Sequence, residues 1–392
     1  MPRLITTYII REMVIPFLLS AAFLSVTMLM GKIIKLVELF IVQDVGVKYI
    51  AWFIISFAPS FLIYTLPASL LVAVLIACTR LSSDSEITAL KSSGISLFAV
   101  MKPVFFLASV VFFLDLLITM YLYPWGNLNL KKLFFEVAKS KAIAAIEEKT
   151  FYDRFKNVVL YVDHIPAGGG ELRGIFISEK KDNQSRIVVA EKGVFVPRPQ
   201  DFSIVLRLEN GEIHENSPGE DVYHIARFSD YTLELALEEK TKEEQGRAKK
   251  ELYAGELLEK IRELEREGAP TAPYSIALQK RFAMPAAVFV FALLGVPLGM
   301  QRVRQARATG FGLATGVLIV YYLLTRTLES FGQAGFINPV IAVWGTLFIL
   351  GLAGVYIFSM ALREKEIFIV KVFEKILTFF IDKITGITGS KK

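Results

Sequence analysis

Three histidines, one cysteine and a few charges set in apolar surroundings are the residues of this chain that could do chemistry. His164, His214 and His224 share one polar stretch, but no cysteine joins them and their spacing is not that of a metal-ligand cluster. They read as strand or surface histidines ahead of a metal site. Ala167–Gly170 (AGGG) is followed neither by GK[ST] nor by a helix start, so it reads as a hairpin turn and not a phosphate loop. No nucleophile elbow, HExxH or EF-hand pattern occurs, and no GxxxxGK[ST] either, so P-loop binding of ATP is excluded. Cys78 has no partner within the chain, which must fold without internal disulfides. Nothing here reads as a catalytic centre.

The charges are more informative. Lys32 and Lys35 stand three apart at the far end of an apolar run and share a helix face. At membrane depth such charges either snorkel or face a wet cavity. Asp115 is an isolated carboxylate in a second such run, a candidate proton carrier. Arg326 and Glu329 are three apart and read as a pair on one helix face. In TRLSSDSEITALKSSGIS, Ser83 and Glu86 fit an S-x-x-E capping box and Gly94 is placed to stop the helix. Ile87 and Leu90 fall on one face with the small Ala89 beside them. Glu86 is either only a cap, or part of a docking helix together with Asp84 and Ser85.

These residues are positioned by two clusters of apolar runs around a long polar block. The first cluster predicts spans at Met13–Phe40, Tyr49–Cys78 and Phe98–Tyr123; the second predicts Phe282–Met300, Ala308–Thr327 and Ile337–Leu362. Each has about the 20 residues that cross a hydrocarbon layer. The domain reading is therefore 1–123 for three spans with an inner helix at 83–94, 124–281 for an inserted domain, 282–363 for three more spans, and 364–392 for a tail. Arg3, Arg11, the Arg302–Arg307 link and the tail share one parity, whereas no Lys or Arg lies from Thr327 to Asn338. Positive segments stay inside, so both termini are cytoplasmic and the insert is external, with Lys32, Lys35 and Lys48 dissenting. A 54% hydrophobic share fits a membrane protein, and the net charge of +6 is largely this inside bias, so nucleic-acid binding is not indicated.

Period-two alternation from about Thr150 to Leu237 predicts strands at NVVLYVDHI, ELRGIFISEK, SRIVVAEKGVFV, FSIVLRLENGEIHE and YTLELALEE. Such spacing suggests an antiparallel sandwich or jelly roll, flanked by helices at LKKLFFEVAKSKAIAAIEE and AGELLEKIRELEREG. Val158, Leu160 and Val162, with Ile204, Leu206 and Leu208, alternate inward, as either a closed core or the lining of an apolar conduit. Pro59 and Pro67, then Pro285, Gly295 and Pro297, are helix irregularities that permit bending. EKEIFIVKVFEKILTFFIDKITG is too charged to span and reads as an interfacial helix.

Taken in order, these segments resemble a known family. The inner helix looks like the coupling helix of the lipopolysaccharide export permeases, the LptF/LptG (YjgP/YjgQ) family. YSIALQKRFAMPAAVFVFALLGVPLG, TGFGLATG, NPVIAVW and the N-terminal YIIREMVIPFLL are similar to the corresponding segments of that family, and DSEITAL with the Lys32/Lys35 pair leans toward the LptF branch. The resemblance implies six transmembrane helices with a periplasmic β-jellyroll in the bacterial inner membrane. It also implies a sister permease subunit (LptG-like), a cytoplasmic ATPase dimer (LptB-like) and a bitopic jelly-roll protein (LptC-like). No cofactor would be bound by this chain, the ATP and Mg being held by the ATPase. Under the resemblance Lys32 and Lys35 would contact lipid phosphates, and Asp84, Ser85, Glu86, Ile87, Leu90 and Gly94 would couple to the ATPase. The competing classes are a gradient-driven exporter using Asp115 and a structural or sensory membrane protein.

Overall fold

The computed structural model describes residues 3–41, 47–144, 148–155, 158–166, 171–181, 184–198, 203–216, 223–235, 248–301 and 306–363. In chain order these form α1 (Arg3–Ile41), α2 (Val47–Ser83), α3 (Glu86–Ser92) and α4 (Leu97–Leu117). A π turn (Ile118–Leu122) then runs into α5 (Tyr123–Ala144). Six strands follow: β1 (Phe151–Phe155), β2 (Val158–His164), β3 (Leu172–Lys181), β4 (Gln184–Arg198), β5 (Ser203–Asn216) and β6 (Tyr223–Leu235). The chain ends with α6 (Ala254–Glu267), α7 (Ala272–Gly299), α8 (Ala306–Gln333) and α9 (Pro339–Leu362). It divides into two compact units, one of Met1–Asn127 with Lys249–Lys392, the other of Leu128–Ala248. The α6 helix, grouped with the insert on sequence, falls in the first unit.

Six helices among the described residues are long and apolar enough to span a bilayer: Leu4–Gly31, Ile50–Ser83, Leu97–Phe134, Ala272–Gly299, Phe311–Gln333 and Pro339–Leu362. The first and fourth start about one turn or more before the hydropathy-based boundaries at Met13 and Phe282. Charges ended the apolar windows there, but the helices continue because those charges have partners. Glu12 pairs with Arg80 of α2, and Lys280 with Glu329 of α8.

Burial divides the bundle into a centre and edges. The apolar window is 78% buried in α2 and 67% in α7, against 11% in α1 and 17% in α8. A helix that is apolar all round belongs in an interior, and α2 feeds two cores. Leu70, Ala73 and Val74 join Ile9 and Met13 of α1, Val104 and Ala108 of α4, and Val288 of α7. Leu71, Val72 and Leu75 join Phe291 of α7, Leu313 and Tyr321 of α8, and Val343 and Leu347 of α9. Gly295 and Gly299, one turn apart on α7, permit close approach to α2. A methyl on Gly295 would lie 2.9 Å from Val74 Cγ1, and one on Gly299 would lie 2.7 Å from Cys78 Cβ. Small residues at that spacing let membrane helices pack backbone to backbone.

The π turn in the third span is held by a buried arginine. Such a turn releases carbonyls from the i−4 ladder, and in a bilayer each needs another donor. Arg281 Nη1 donates to Thr119 O at 3.3 Å, Nη2 donates to Leu252 O, and Thr119 Oγ1 donates back to Arg281 O at 3.0 Å. The guanidinium also lies 6.0 Å from the Tyr123 ring centre.

In the second unit the strands make one antiparallel sheet in the order β1-β2-β3-β4-β5-β6. The all-β reading of the insert holds, but the strand order is a meander where a jelly roll distributes strands between two sheets. The first strand and the N-terminal half of β6 (YHIARF) were not legible as strands, being rich in charged and polar residues. A crease reconciles one sheet with a two-sided core. Leu172 is buried, and so are Ile175 and Ile177, although the alternation should expose one set. Likewise Ala190 is followed by Gly193, and Leu208 by the half-buried Ile213. Gly174 (φ 64°) and Asn210 (φ 51°) mark the row where the phase slips, while the pairing register continues through Arg173↔Lys192, Ile175↔Ala190, Glu209↔Asp230 and Gly211↔Phe228. A left-handed residue in a strand turns the side chains over without breaking the ladder.

The sheet folds along this row. Tyr231 pairs with Leu208, which pairs with Gly193, seven residues along β4 from Arg186 (193 − 186). On a flat sheet that is about 23 Å at about 3.3 Å per residue. Arg186 Nη1 nevertheless donates to Tyr231 Oη at 2.9 Å. The folded face encloses Val158, Leu160, Val162, Ile175, Ile177, Val188, Leu206, Leu208 and Leu233 in one cluster.

Two predictions follow from these contacts. Replacing Arg281 by Met keeps the volume but removes charge-assisted bonds, and should destabilise the full-length protein in detergent by about 2 kcal/mol or more. A melting curve matching wild type would show that the π turn needs no such donor. At the start of the insert, Glu148 Oε1 accepts from Ile165 N at 2.6 Å and lies 2.9 Å from His164 Nδ1. That amide bond, followed by the nearby His164 and Lys149, holds the Glu148 carboxyl below the ordinary glutamate value despite the partial desolvation that opposes it. Its stabilisation is present above the ordinary value and is lost as pH falls through the lowered one. The Ile165 amide should therefore exchange faster with acidification, beyond the intrinsic trend, in the wild type and not in Glu148→Gln. Equal pH dependence in both proteins would refute the linkage.

Candidate functional site

The short helix α3 sits at the junction of α2 and α4 and is bracketed by two left-handed residues. Ser85 has φ 61° and Gly94 φ 78°. The Ser83–Glu86 capping box does not form. The α2 helix runs on through Ser83, Ser85 takes the N-cap position with no side-chain cap bond, and Glu86 turns elsewhere. The far end is as expected, because Gly94 N donates to Lys91 O at 2.9 Å and Ile95 N to Leu90 O at 3.0 Å, a Schellman stop.

Glu86 meets α1. Tyr8 Oη donates to Glu86 Oε1 at 3.0 Å. One turn along α1, Glu12 pairs with Arg80, whose Nε also lies 3.5 Å from Asp84 Oδ2. Ile87 is buried in the same core as Ile9 and Met13, Leu90 is half-buried, and Asp84, Thr88, Ala89 and Ser92 are exposed. Ser82 Oγ donates to Met300 O at 2.7 Å, joining the ends of α2 and α7. So α3 is anchored on one side and presents the other. Tyr8, Glu12 and Arg80 were not singled out on sequence, since their partners are distant in the chain and leave no local periodicity.

At the opposite ends of the spans, Lys32 and Lys35 lie in the helical backbone of α1, and their side chains fall outside the described residues. The Arg326–Glu329 pair expected from spacing is present, but as the longer of two. The buried Glu329 has its close partner on another helix, Lys280 Nζ at 2.8 Å, and Arg326 is only within 3.9 Å with its side chain 73% exposed. Spacing three on one helix gives the local pair, but the carboxylate faces inward, where Lys280 of α7 lies closer. Asp115 is fully buried and neither of its oxygens has a hydrogen-bond partner.

In the insert, Leu160, Val162, Leu206 and Leu208 are fully buried, Val158 is nearly so, and Ile204 pairs with Leu235 while its side chain lies outside the described residues. Partly open around them are Tyr152, Phe195, Ile213, Phe228 and Tyr231, which alternation alone did not distinguish from the core. His214 and His224 are on adjacent strands, paired with Ile225 and Glu215 respectively. Among the described residues no three histidine, cysteine or carboxylate side chains gather as metal ligands.

Residues 7–360 match the family described as "Lipopolysaccharide export system permease LptF/LptG". The permease protein LptF of the lipopolysaccharide export system of Escherichia coli (strain K12) is 22% identical over 350 residues, covering 87% of this chain and 90% of its own length. The LptF protein of Shigella flexneri matches to the same extent. An uncharacterized protein of Rickettsia prowazekii (strain Madrid E) is 28% identical over 186 residues, 46% of this chain and 50% of its own.

Proposed function

Since the chain belongs to the LptF/LptG family of lipopolysaccharide export permeases, we propose that it is one permease subunit of an ATP-driven exporter, on the LptF side of the pair. It is a transport subunit, multi-pass in the inner membrane, and not a catalytic one. It draws lipopolysaccharide from the outer leaflet and passes it to a periplasmic jelly-roll bridge. A cytoplasmic ATPase dimer supplies the energy, a sister permease completes the cavity, and a bitopic jelly-roll protein receives the lipid. Both termini are cytoplasmic and the insert is periplasmic, a placement supported by the basic residues of the inner-parity segments.

The observation that carries this reading is α3. A seven-residue helix stopped at both ends and tied to the bundle by Ile87, with Thr88 and Ala89 outward, is suited to carrying force from a motor subunit. The apolar faces of α1 and α8, with Phe23, Met30, Ile319 and Leu323 exposed, suit lipid and a sister subunit. Lys32, Lys35 and Arg326 lie on the end of these helices that parity assigns to the periplasmic side, and they serve the lipid phosphates. In the insert, acyl chains are received by the partly open Phe195, Phe228 and Tyr231 at the margin of the core. Val158, Leu160, Val162, Leu206 and Leu208 form the wall behind them, with Ile204 in the same strand as the last two.

Two experiments test this. Purified from its host's membranes in mild detergent, the chain should bring down an ATPase bearing a Walker A sequence. A wild-type complex that transports lipid without one would replace the reading by a gradient-driven exporter. Photo-reactive residues in α1 and at Phe195 should cross-link lipopolysaccharide in an ATP-dependent way, and joint replacement of Lys32 and Lys35 by Glu should lower the α1 cross-link about tenfold, as expected for losing charge-assisted phosphate contacts. An undiminished α1 cross-link would leave snorkelling as the role of these lysines. Absence of the Phe195 cross-link in an exporting complex would make the insert a docking platform.

A further inference from the structure

We propose that the Tyr8–Glu86 hydrogen bond is the joint through which displacement of α3 reaches α1, with Tyr8 a positioning residue for transport. The inference rests on the reading above, in which α3 receives the ATPase.

The geometry begins with how little holds α1. Among the described side chains of α1 the buried ones are Ile9, Met13 and Phe17. Beyond them Leu18, Leu19, Phe23, Val26, Met28 and Met30 are exposed. Among the described residues, two polar stitches to α2 lie there, Ser20 Oγ to Ser69 O at 3.3 Å and Ser25 Oγ with Thr65 Oγ1 at 3.0 Å, beside the half-buried Leu24 and Leu29. Such a helix is steered from its inner end.

At that end it is held along two adjacent stripes, by α2 and by α3. Ile9 and Met13, four apart, share a core with Ile87, while Tyr8 and Glu12, also four apart, meet Glu86 and Arg80. Residues four apart stack on one helix face, so each stripe follows α1 as it turns. The apolar core that Ile87 shares with Ile9 and Met13 is non-directional and lets α1 slide or rotate. The hydrogen bond is directional and fixes the angle. On the α3 side the carboxylate is set at the first turn, directly after the left-handed Ser85, so a push on α3 moves it together with the helix. The Glu12–Arg80–Asp84 chain ties α1 to α2 itself and would hold α1 still relative to α2. Tyr8 alone among these polar contacts links α1 to α3.

Glu86 also answers to both sides. Its Oε1 accepts from Tyr8, and the residue is only half-buried, which leaves the carboxylate within reach of a cationic partner group at the surface. A partner drawing on that carboxylate would alter its hold on the phenol, so docking and the setting of α1 are linked through one side chain.

The test uses the intact complex with its ATPase in lipid nanodiscs. Spin labels are placed at Leu19→Cys on α1 and Phe348→Cys on α9, both on exposed positions, with the buried Cys78 changed to Ala. Pulsed dipolar spectroscopy then reads the α1–α9 distance with and without nucleotide. In the wild type nucleotide should shift the distance distribution. In Tyr8→Phe, which keeps the ring and loses only the hydroxyl, the ATPase should remain bound and active. The nucleotide-dependent shift and the lipid exported per ATP should each fall about tenfold, the loss expected for one hydrogen bond to a charged group. Glu86→Gln keeps a carbonyl acceptor for the phenol and should retain a larger shift than Glu86→Ala at equal ATPase occupancy. A role for Tyr8 in stability alone would lower complex yield and leave the shift and the lipid-to-ATP ratio unchanged in the complex that survives. That outcome overturns the joint. A wild-type chain that binds no ATPase overturns the joint together with the reading beneath it, whereas bound ATPase with an unaltered Tyr8→Phe overturns the joint alone.

Discussion

A hydrocarbon layer offers no water to a carbonyl or a charge, and the cations buried among the helices of this protein are placed against partners inside it, although the buried Asp115 has no hydrogen-bond partner among the described residues. Arg281 shows the constraint most clearly. Its guanidinium is buried in the fourth span, where an unpaired cation is costly, yet its two amino groups are taken by carbonyls of Thr119 and Leu252. The π turn supplies one of these carbonyls, so the irregular backbone and the buried charge satisfy each other. Lys280, the preceding residue, does the same with Glu329. Two consecutive cations therefore fix α7 against three different segments of chain, and α7 in turn holds α2 through the close contacts at Gly295 and Gly299. What results is a stiff centre. The span this arrangement binds least is α1, whose apolar window is 11% buried.

Periodicity revealed the membrane spans and most strands because both are repeating properties of the chain. It failed where one residue's surroundings outweighed the repeat. Hydropathy stopped at Arg11 and Glu12, and again at Lys280 and Arg281, because a charge counts against a span whether or not it has a partner. The S-x-x-E pattern at Ser83 was read as a helix start, but α2 absorbed Ser83 and the carboxylate found Tyr8, a partner 78 residues away. The stop at Gly94 was legible because it depends on glycine's own tolerance of positive φ. The same contrast explains Glu329, whose nearest cation in sequence is not its nearest in space. Lys32 and Lys35 were identified by type and position, and their side chains lie outside the described residues.

The insert was legible as β structure and not as a meander, for a related reason. Alternation reports which side chains point inward along one strand, and it says nothing of which strands pair. It also assumes that the phase never slips. At Gly174 and Asn210 it does, and an Asn-Gly pair that elsewhere would end a strand lies here in the middle of one. By turning the side chains over along one row, the chain folds a single sheet onto its own apolar face. Arg186 and Tyr231 then close the gap from opposite sides of the crease. A sheet folded in this way has a spine and an opening, unlike a sandwich closed by two separate sheets. Its deep residues, Leu160 and Leu206 among them, are shielded, and aromatic residues such as Phe195, Phe228 and Tyr231 are partly open at its margin.

The division between a fixed centre and lightly held edges also bears on how energy could travel. Motion is transmitted by contacts that resist deformation in one direction, and a purely apolar interface resists rotation weakly because its attraction follows buried area and not angle. Among the described residues of α1 the fully buried side chains end at Phe17, and the bonds at Ser20 and Ser25 are to α2, which belongs to the fixed centre. A displacement arriving from the inner face therefore has to enter α1 at its first two turns, where Tyr8 and Glu12 stand beside Ile9 and Met13. Directional polar contacts there, beside the buried Ile9 and Met13, would give the helix a hinge near one end, while Leu18, Leu19, Phe23 and Val26 further along are exposed. The same polar groups placed at mid-membrane would need permanent partners, and a helix with permanent partners along its length could not move.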